Sequence, residues 1–391
     1  MTAVLVAGVG MVKFAKPGAS EPYPQMTASA IRAALADSNL RLEDVGMAAA
    51  GFCYGGSGCG QRSLYEVGMT GMPVFNVSNA CSTGSSAIYL ARQAVESGAT
   101  DVALAFGFEE MRPGALAVDT SRVLPVDHFF ARFGELDVHI DPAMAAPIMF
   151  GAAGARYLER YGASAEIFAD VAVKTRAHAA RNPMSLFSKP LTREEVMGAP
   201  LLWGTYLTRL MACPPTCGAA AAILVSRDFA RKRGLSGLVE IAGQAMTTDT
   251  RASYVDEMNL VGRDMSRRAA AAAYEAAGIG PEDVSVAELH DCFTPNEVIS
   301  YEALGLCGEG EASKMIAEGD NTFGGRVVVN PSGGLMSKGH PLGATGLAQC
   351  YELVMQLRGR ADARQVADAR AALQHNIGLG GAAVVTIYKA A

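Results

Sequence analysis

The chain has 391 residues, half of them apolar and 18% charged, which is enough for two sizeable cores or one layered one. A formal net charge of −6 argues against nucleic acid or an anionic membrane as the main partner, while leaving room for a local patch that binds a polyanionic small molecule. Eight cysteines without regular spacing fit a reducing compartment better than a disulfide framework, and no apolar run reaches the ~18–20 residues of a membrane span.

The N-terminal stretch 1–11 lacks the basic start of a signal peptide and is expected as a first buried strand. The final Tyr388-Lys389-Ala390-Ala391 is not the peroxisomal Ser-Lys-Leu address, so a soluble, cytoplasmic protein is the default expectation. Residues 28–52 predict a helix, a linker holding Leu42-Glu43-Asp44-Val45, and a strand. Val74–Val77 is a short apolar run that breaks into a small-residue turn, Ala80-Cys81-Ser82-Thr83-Gly84. A helix follows, with Ile88, Leu90, Ala91, Ala94 and Val95 at its apolar positions. Strand, tight turn and helix lift one side chain off a sheet and aim a helix N-terminus at it. Here that side chain is Cys81. The thiolate is the reactive form, and a helix N-terminus is expected to lower the thiol pKa from its free value of roughly 8.5. A buried structural cysteine at a strand–helix joint is the alternative. A strand at Asp101–Phe106 closes the unit.

Residues 112–216 are proline-rich and less regular. Within them Val171–Arg193 carries Lys174, Arg176, Arg181, Lys189 and Arg193 without an acidic residue. That run reads either as a solvated helix face or as a patch for a phosphorylated cofactor tail. Cys213 and Cys217 have the spacing of half a zinc site, but no second pair answers them and no metal is expected.

The same order then returns. Residues 266–293 predict a helix, a linker holding Pro281-Glu282-Asp283-Val284, and a strand ending in His290-Asp291-Cys292-Phe293. His340-Pro341-Leu342-Gly343 leads into a helix as Cys81-Ser82-Thr83-Gly84 does, and Arg370–His375 closes it as Asp101–Phe106 does. The last strand, Gly381–Tyr388, has its counterpart in Gly218–Ser226. A duplicated α/β unit follows, with halves at 1–235 and 236–391 and an insertion at about 112–216 in the first copy. Chance likeness of two Ala-rich helices would not reproduce the matching order.

Three further stretches carry candidate chemistry. His290 and Cys292 stand two apart at a strand end, where ligands bind in α/β sheets, and project to one side of an extended chain. Asn330–Gly346 is a Gly- and Pro-rich loop around His340, better explained by positioning the histidine than by building a core. Asn376–Gly381, between two strands, can offer backbone N–H groups to an oxyanion. A dinucleotide loop at Gly8-Val9-Gly10 is a weak rival, since it lacks the third glycine and the helix opening. By duplication, Cys81 and His340 hold equivalent positions and face a shared cleft.

Together these stretches resemble the thiolase superfamily, specifically its sterol-carrier-protein-2 type, over nearly the whole chain. Cys81 sits where those enzymes keep the nucleophile, His290-Asp291-Cys292-Phe293 matches their HDCF signature, and Lys338–Gly346 matches their GHP loop. Gln374–Gly381 matches too, with Asn376 where ordinary thiolases carry the cysteine of a CxG loop. The resemblance implies a thiolase fold, two βαβαβαββ halves layered αβαβα with an inserted loop domain. It implies exchange between 3-oxoacyl-CoA plus CoA and acyl-CoA plus acetyl- or propionyl-CoA, in fatty-acid or sterol side-chain β-oxidation. It further implies Cys81 as nucleophile, His340 as its base and Cys292 as acid/base. His290 and His340 would face the enolate oxygen, and the N–H groups of Cys81 and Gly378 the thioester oxygen. CoA would be a co-substrate with no prosthetic group, its phosphates near Lys174, Arg176 and Arg181, in a homodimer or homotetramer. A partner-dependent aldolase acting on steroid side-chain CoA esters and a non-catalytic acyl-CoA-binding protein are the alternatives.

Overall fold

Small and β-branched residues dominate the segments that become strands, because strands covered on both faces leave no solvated side for polar alternation. The computed structural model describes residues 2–113, 123–124 and 126–391; part of the expected insertion, at 114–122 and Pro125, lies outside the described residues. The first half contributes β1 (Val4–Met11), β2 (Met47–Gly51), β3 (Val74–Val77) and β4 (Val102–Glu109). A small hairpin, β5 (Leu201–Trp203) and β6 (Leu207–Thr208), lies in the inserted segment, and β7 (Gly218–Ser226) returns to the sheet. The second half adds β8 (Val239–Thr247), β9 (Val286–Glu288), β10 (Val328–Val329), β11 (Ala371–Gly378) and β12 (Ala382–Ala390).

Ten of these strands form one sheet in the order β10-β9-β11-β12-β8-β1-β7-β4-β2-β3. Read outward from the β8–β1 junction, the two halves are the same list: antiparallel, antiparallel, parallel, parallel. The duplication expected from sequence is therefore a duplication of topology. The junction itself is short, with Leu5 opposite Glu240 and Val6 opposite Val239.

Helices Thr83–Glu96 and Leu342–Leu357 fill the space between the two half-sheets. Their buried Ile88, Ala91, Val95, Leu347 and Leu353 share one core with strand residues of both halves. Each large apolar side chain buried this way contributes about 1.5–3 kcal/mol. Helix Tyr23–Ser38 covers the other face of the first half, and helix Arg263–Ala277 that of the second. The layers run αβαβα. The inserted segment belongs to the first half in sequence, yet it packs on the second half in one continuous core with Leu260, Val298 and Leu373.

Three sequence expectations shift. The first helix starts at Tyr23 rather than 28, because Pro24 sits in its first turn, where a missing N–H costs nothing. The inserted segment, expected to be less regular, carries two long helices, Ala145–Tyr161 and Glu166–Ala179. The loop 330–346 is buried throughout and already ordered as a π turn at Gly334–Lys338, with the next helix starting at Leu342. No helix among the described residues is long and apolar enough to cross a membrane.

The two central helices meet at their N-terminal ends with no room for side chains. A Cβ on Gly343 would lie 2.4 Å from the carbonyl oxygens of Gly51 and Phe108, and one on Gly84 would lie 2.7 Å from that of Gly343. Those are distances at which backbone must move. Gly343→Ala is expected to destabilise the fold by about 2–3 kcal/mol, read as a lower urea midpoint; an unchanged midpoint would contradict this packing.

Candidate active site

Cys81 stands two residues ahead of the Thr83–Glu96 helix and His340 two ahead of the Leu342–Leu357 helix, so the glycine crossing brings both to one place. The Cys81 turn is held from several sides. Ala80 adopts φ +46°, a left-handed conformation that costs a non-glycine residue of order 1–3 kcal/mol and persists only where neighbours impose it. Thr83 Oγ1 imposes it by accepting from the Asn79 N–H at 2.8 Å and donating to the Ala80 carbonyl at 2.6 Å.

His290 follows the end of β9, and its Nδ1 lies 2.8 Å from Nδ2 of Asn376 on β11. Ser85 Oγ donates to Asn376 Oδ1 at 3.1 Å and accepts from Gln374 Nε2 at 2.8 Å, which orients the Asn376 amide with its NH2 toward the histidine. His290 Nδ1 is therefore an acceptor, and the ring proton is on Nε2. His340 is set the opposite way. Thr345 Oγ1 gives its one proton to the Pro341 carbonyl at 3.0 Å, so at 2.7 Å it must accept from His340 Nδ1–H. His340 Nε2 is left with a bare lone pair, buried and without a partner among the described residues.

Sγ of Cys81 and a ring nitrogen of each histidine lie within 4.8 Å of one another, and the two rings meet edge to face at 5.2 Å. Burial pushes His340 down to about 3. Burial, with His340 and His375 adding to it, holds His290 well below the usual imidazole range. Both are neutral at pH 7. Cys81 is exposed only toward an apolar cavity. That burial, with Cys53, Cys213 and Glu109 nearby, holds its thiol well above the ordinary value. Burial thus acts against the lowering expected from sequence for a cysteine at a helix N-terminus, because it disfavours the charged form.

The cavity, about 260 Å³, is lined by Cys81, Cys213, His290, Cys292 and His340, with Phe150 and Leu202 from the inserted segment. Cys292 is buried, and its carbonyl accepts from the Cys213 N–H at 2.8 Å. Asp291 points away, accepting from the Leu335 N–H at 2.7 Å and so tying this turn to the loop of His340. Gly378 lies against the Cys81 turn, where a Cβ would come 2.2 Å from the Asn79 carbonyl oxygen. Cys213 and Cys217 part company: Cys213 faces the cavity, while Cys217 is buried with its Sγ 3.4 Å from the Met111 carbonyl. Cys81, His290 and His340 are close enough to share a soft metal ion. His290 would first have to move its proton to Nδ1 and lose the Asn376 bond.

The basic run divides. Lys174 is buried on Glu297, with Tyr301 Oη and the Val329 carbonyl each at 3.3 Å, so it leaves the phosphate-binding set: its charge is used inside the fold. Arg176 lies over the Phe187 ring at 4.6 Å, and Arg181 over Phe323 at 4.1 Å, with Arg181 exposed. Thr345 and Glu109 belong to the site and escaped sequence reasoning, and Cys213, weighed there only as half of a zinc pair, lines the cavity; a duplicated helix start points to 340, but no local pattern marks its hydrogen-bond partner.

The family model described as Thiolase, N-terminal domain matches residues 4–195, and that described as Thiolase C-terminal domain-like matches residues 246–390. The chain is 48% identical over 394 residues to Sterol carrier protein 2 of Homo sapiens, covering 99% of this chain and 72% of that protein. Identity to Non-specific lipid-transfer protein-like 2 of Caenorhabditis elegans is 45% over 398 residues, 99% of this chain and 96% of that one. Among solved structures, the Ltp2-ChsH2(DUF35) aldolase superposes with a TM-score of 0.82 at 25% identity, covering 99% of this chain and 97% of that chain.

Two outcomes check the site's electrostatics. Thr345→Val removes the acceptor that holds His340 in its basic tautomer, and is expected to slow iodoacetamide labelling of Cys81 at pH 7.5 by roughly ten-fold; labelling at the wild-type rate would refute the tautomer assignment. His178, His340 and His375 are each pushed down to about 3 by burial, so they favour the fold fully above pH 6.5 and lose that contribution as pH falls toward 3. Each loses about 2 kcal/mol by pH 5, so Tm is expected to fall between pH 7 and 5; a Tm that rises would contradict neutral burial.

Proposed function

The chain belongs to the thiolase family, and we propose that it exchanges acyl groups between 3-oxoacyl-CoA and CoA through an acyl-cysteine at Cys81. The observation that carries this reading is the pair of neutral histidines in opposite tautomers beside one thiol. A lone pair and an N–H are what the two ends of such a reaction require.

His340 Nε2 takes the proton of Cys81, and the thiolate attacks the 3-keto carbon. The bond between C2 and C3 breaks, leaving the acyl group on Sγ and its electron pair as a CoA thioester enolate. His290 Nε2–H, and now His340 Nε2–H, donate to the enolate oxygen. Cys292 gives its proton to the enolate carbon, which leaves as acetyl-CoA or propionyl-CoA. Its thiolate then takes the proton of the incoming CoA thiol, whose sulfur displaces Cys81 from the acyl group. The departing Cys81 thiolate recovers its proton from His340. Backbone N–H groups of Cys81 and Gly378 are assigned to the thioester oxygen, consistent with the contact between Gly378 and the Cys81 turn.

The apolar cavity, with Phe150 and Leu202 facing the nucleophile, supports an apolar acyl chain such as a fatty-acid or sterol side chain undergoing β-oxidation. Arg176 and Arg181 remain the proposed contacts for CoA phosphates. We also propose a homo-oligomer. Among the described residues the outer edge of β3 is unpaired and half-exposes Phe75, the feature sheets normally cover.

The similarity to the Ltp2-ChsH2(DUF35) aldolase supports a second reading, cleavage of a carbon–carbon bond without transfer to CoA and with a partner protein. The poised Cys81–His340 pair favours transfer. Incubation of the chain with 3-oxoacyl-CoAs of several lengths and free CoA is expected to release acyl-CoA shortened by two or three carbons. Cys81→Ala should abolish it, and Cys292→Ala or His340→Ala should reduce it roughly 10²–10⁴-fold. No cleavage at any length by the wild type would overturn the thiolase assignment and turn attention to the aldolase.

A further inference from the structure

Glu109 ends β4 with its side chain 1% exposed, and among the described residues no cation is bonded to it. Three backbone donors converge on it instead. Oε1 accepts from the Tyr54 N–H at 2.9 Å, and Oε2 from the N–H groups of Cys53 and Gly343, each at 3.1 Å. Cys53 and Tyr54 follow β2 in the first half, whereas Gly343 lies in the first turn of the second half's central helix, three residues after His340. Cys53 extends the chain of contacts, its Sγ lying 3.2 Å from the Ala80 carbonyl and 3.3 Å from Thr83 Oγ1. One carboxylate thus reaches the start of the helix that follows His340 directly and, through Cys53, the turn that carries Cys81.

The second half mirrors the arrangement. Asn376, near the end of β11, holds Ser85 in the first turn of the other central helix and His290 on its far side. Each half carries, at or near the end of a strand, a polar side chain bonded to the helix start of the opposite half.

We propose that Glu109 is a positioning residue for the acyl transfer assigned above, a clamp whose carboxylate fixes the separation of Cys81 and His340. It rests on that reading of the site. The anion is the form that fits, because it offers acceptor lone pairs to all three N–H groups, whereas a carboxylic acid or an amide turns a proton toward one of them.

Burial nonetheless pushes Glu109 up to about 6. Facing it are the thiols of Cys53, Cys81 and Cys217 and the phenol of Tyr54, all raised by burial and neutral there. Glu110 and Arg112 line the adjoining cavity. Below pH 6 the clamp takes up a proton and loosens, so turnover falls while substrate binding persists. His340 and His290 stay neutral through this range. Asp291, also raised by burial, is the other carboxyl group at the site.

The test compares wild type and Glu109→Gln for kcat and KM from pH 5 to 8, and for iodoacetamide labelling of Cys81 at pH 7.5 followed by peptide mass. The clamp requires kcat to fall roughly 10- to 100-fold in the variant with KM within two-fold. It also requires the acid limb near pH 6 to vanish in the variant and Cys81 labelling to slow about ten-fold. If Glu109 were only an anion beside the thiol, neutralising it would ease thiolate formation and speed labelling, which would overturn the clamp. An acid limb surviving in the variant would point to Asp291 and overturn it equally. Should the wild type catalyse no thiolysis, the thiolase reading fails and the labelling rates still decide the clamp. Should the variant not fold, the wild-type labelling profile decides: no inflection near pH 6 counts against it.

Discussion

The structure depends on a close approach of backbone to backbone between two helices that share no half of the sheet. Gly84 and Gly343 sit where the helix starts cross, and a single methyl at either would push apart carbonyl oxygens of the neighbouring turns. This contact converts a duplicated topology into a shared site. Each half carries its reactive residue two positions before its central helix, so bringing the helix starts together brings Cys81 to His340. The rest of the fold serves the crossing: the half-sheets sandwich the helices, and the inserted segment closes the cavity beside them.

Burial at that crossing sets the resting chemistry. Taking charge out of water is costly, so the thiol is held protonated and both histidines are held neutral. A thiolate–imidazolium pair is then the disfavoured state, and in the proposed acyl transfer the nucleophile is formed only as the proton passes to His340. What remains to be specified is which nitrogen carries each proton, and two short polar contacts do this. Thr345, back-bonded to its own helix, can only accept from His340, and Asn376, oriented by Ser85, can only donate to His290. Two copies of the same side chain are thereby given different work.

Much of this was legible in the sequence, for a physical reason. Strand–turn–helix at Cys81, the strand-end His290-Asp291-Cys292-Phe293 and the glycine loop around His340 are local patterns, and the duplication ties them together. What escaped were partners distant in the chain. Glu109 meets Gly343 across 234 residues, and nothing near either predicts the bond. Lys174 failed in the opposite direction. A run of bases without acids resembled a phosphate patch, but its counter-charge, Glu297, comes from a helix 123 residues away. The irregularity assigned to the inserted segment has another cause: it rested on prolines, which end helices in their interior but are accommodated in a first turn, as Pro147 is in Ala145–Tyr161.

The central claim, opposite tautomers on two neutral histidines, is most directly tested by nitrogen-15 NMR of the chain labelled only at its six histidines, assigned by His290→Asn and His340→Asn. At pH 7, His340 should show a protonated Nδ1 with a bare Nε2, and His290 the reverse. An imidazolium at either position, or the same tautomer at both, would contradict the account.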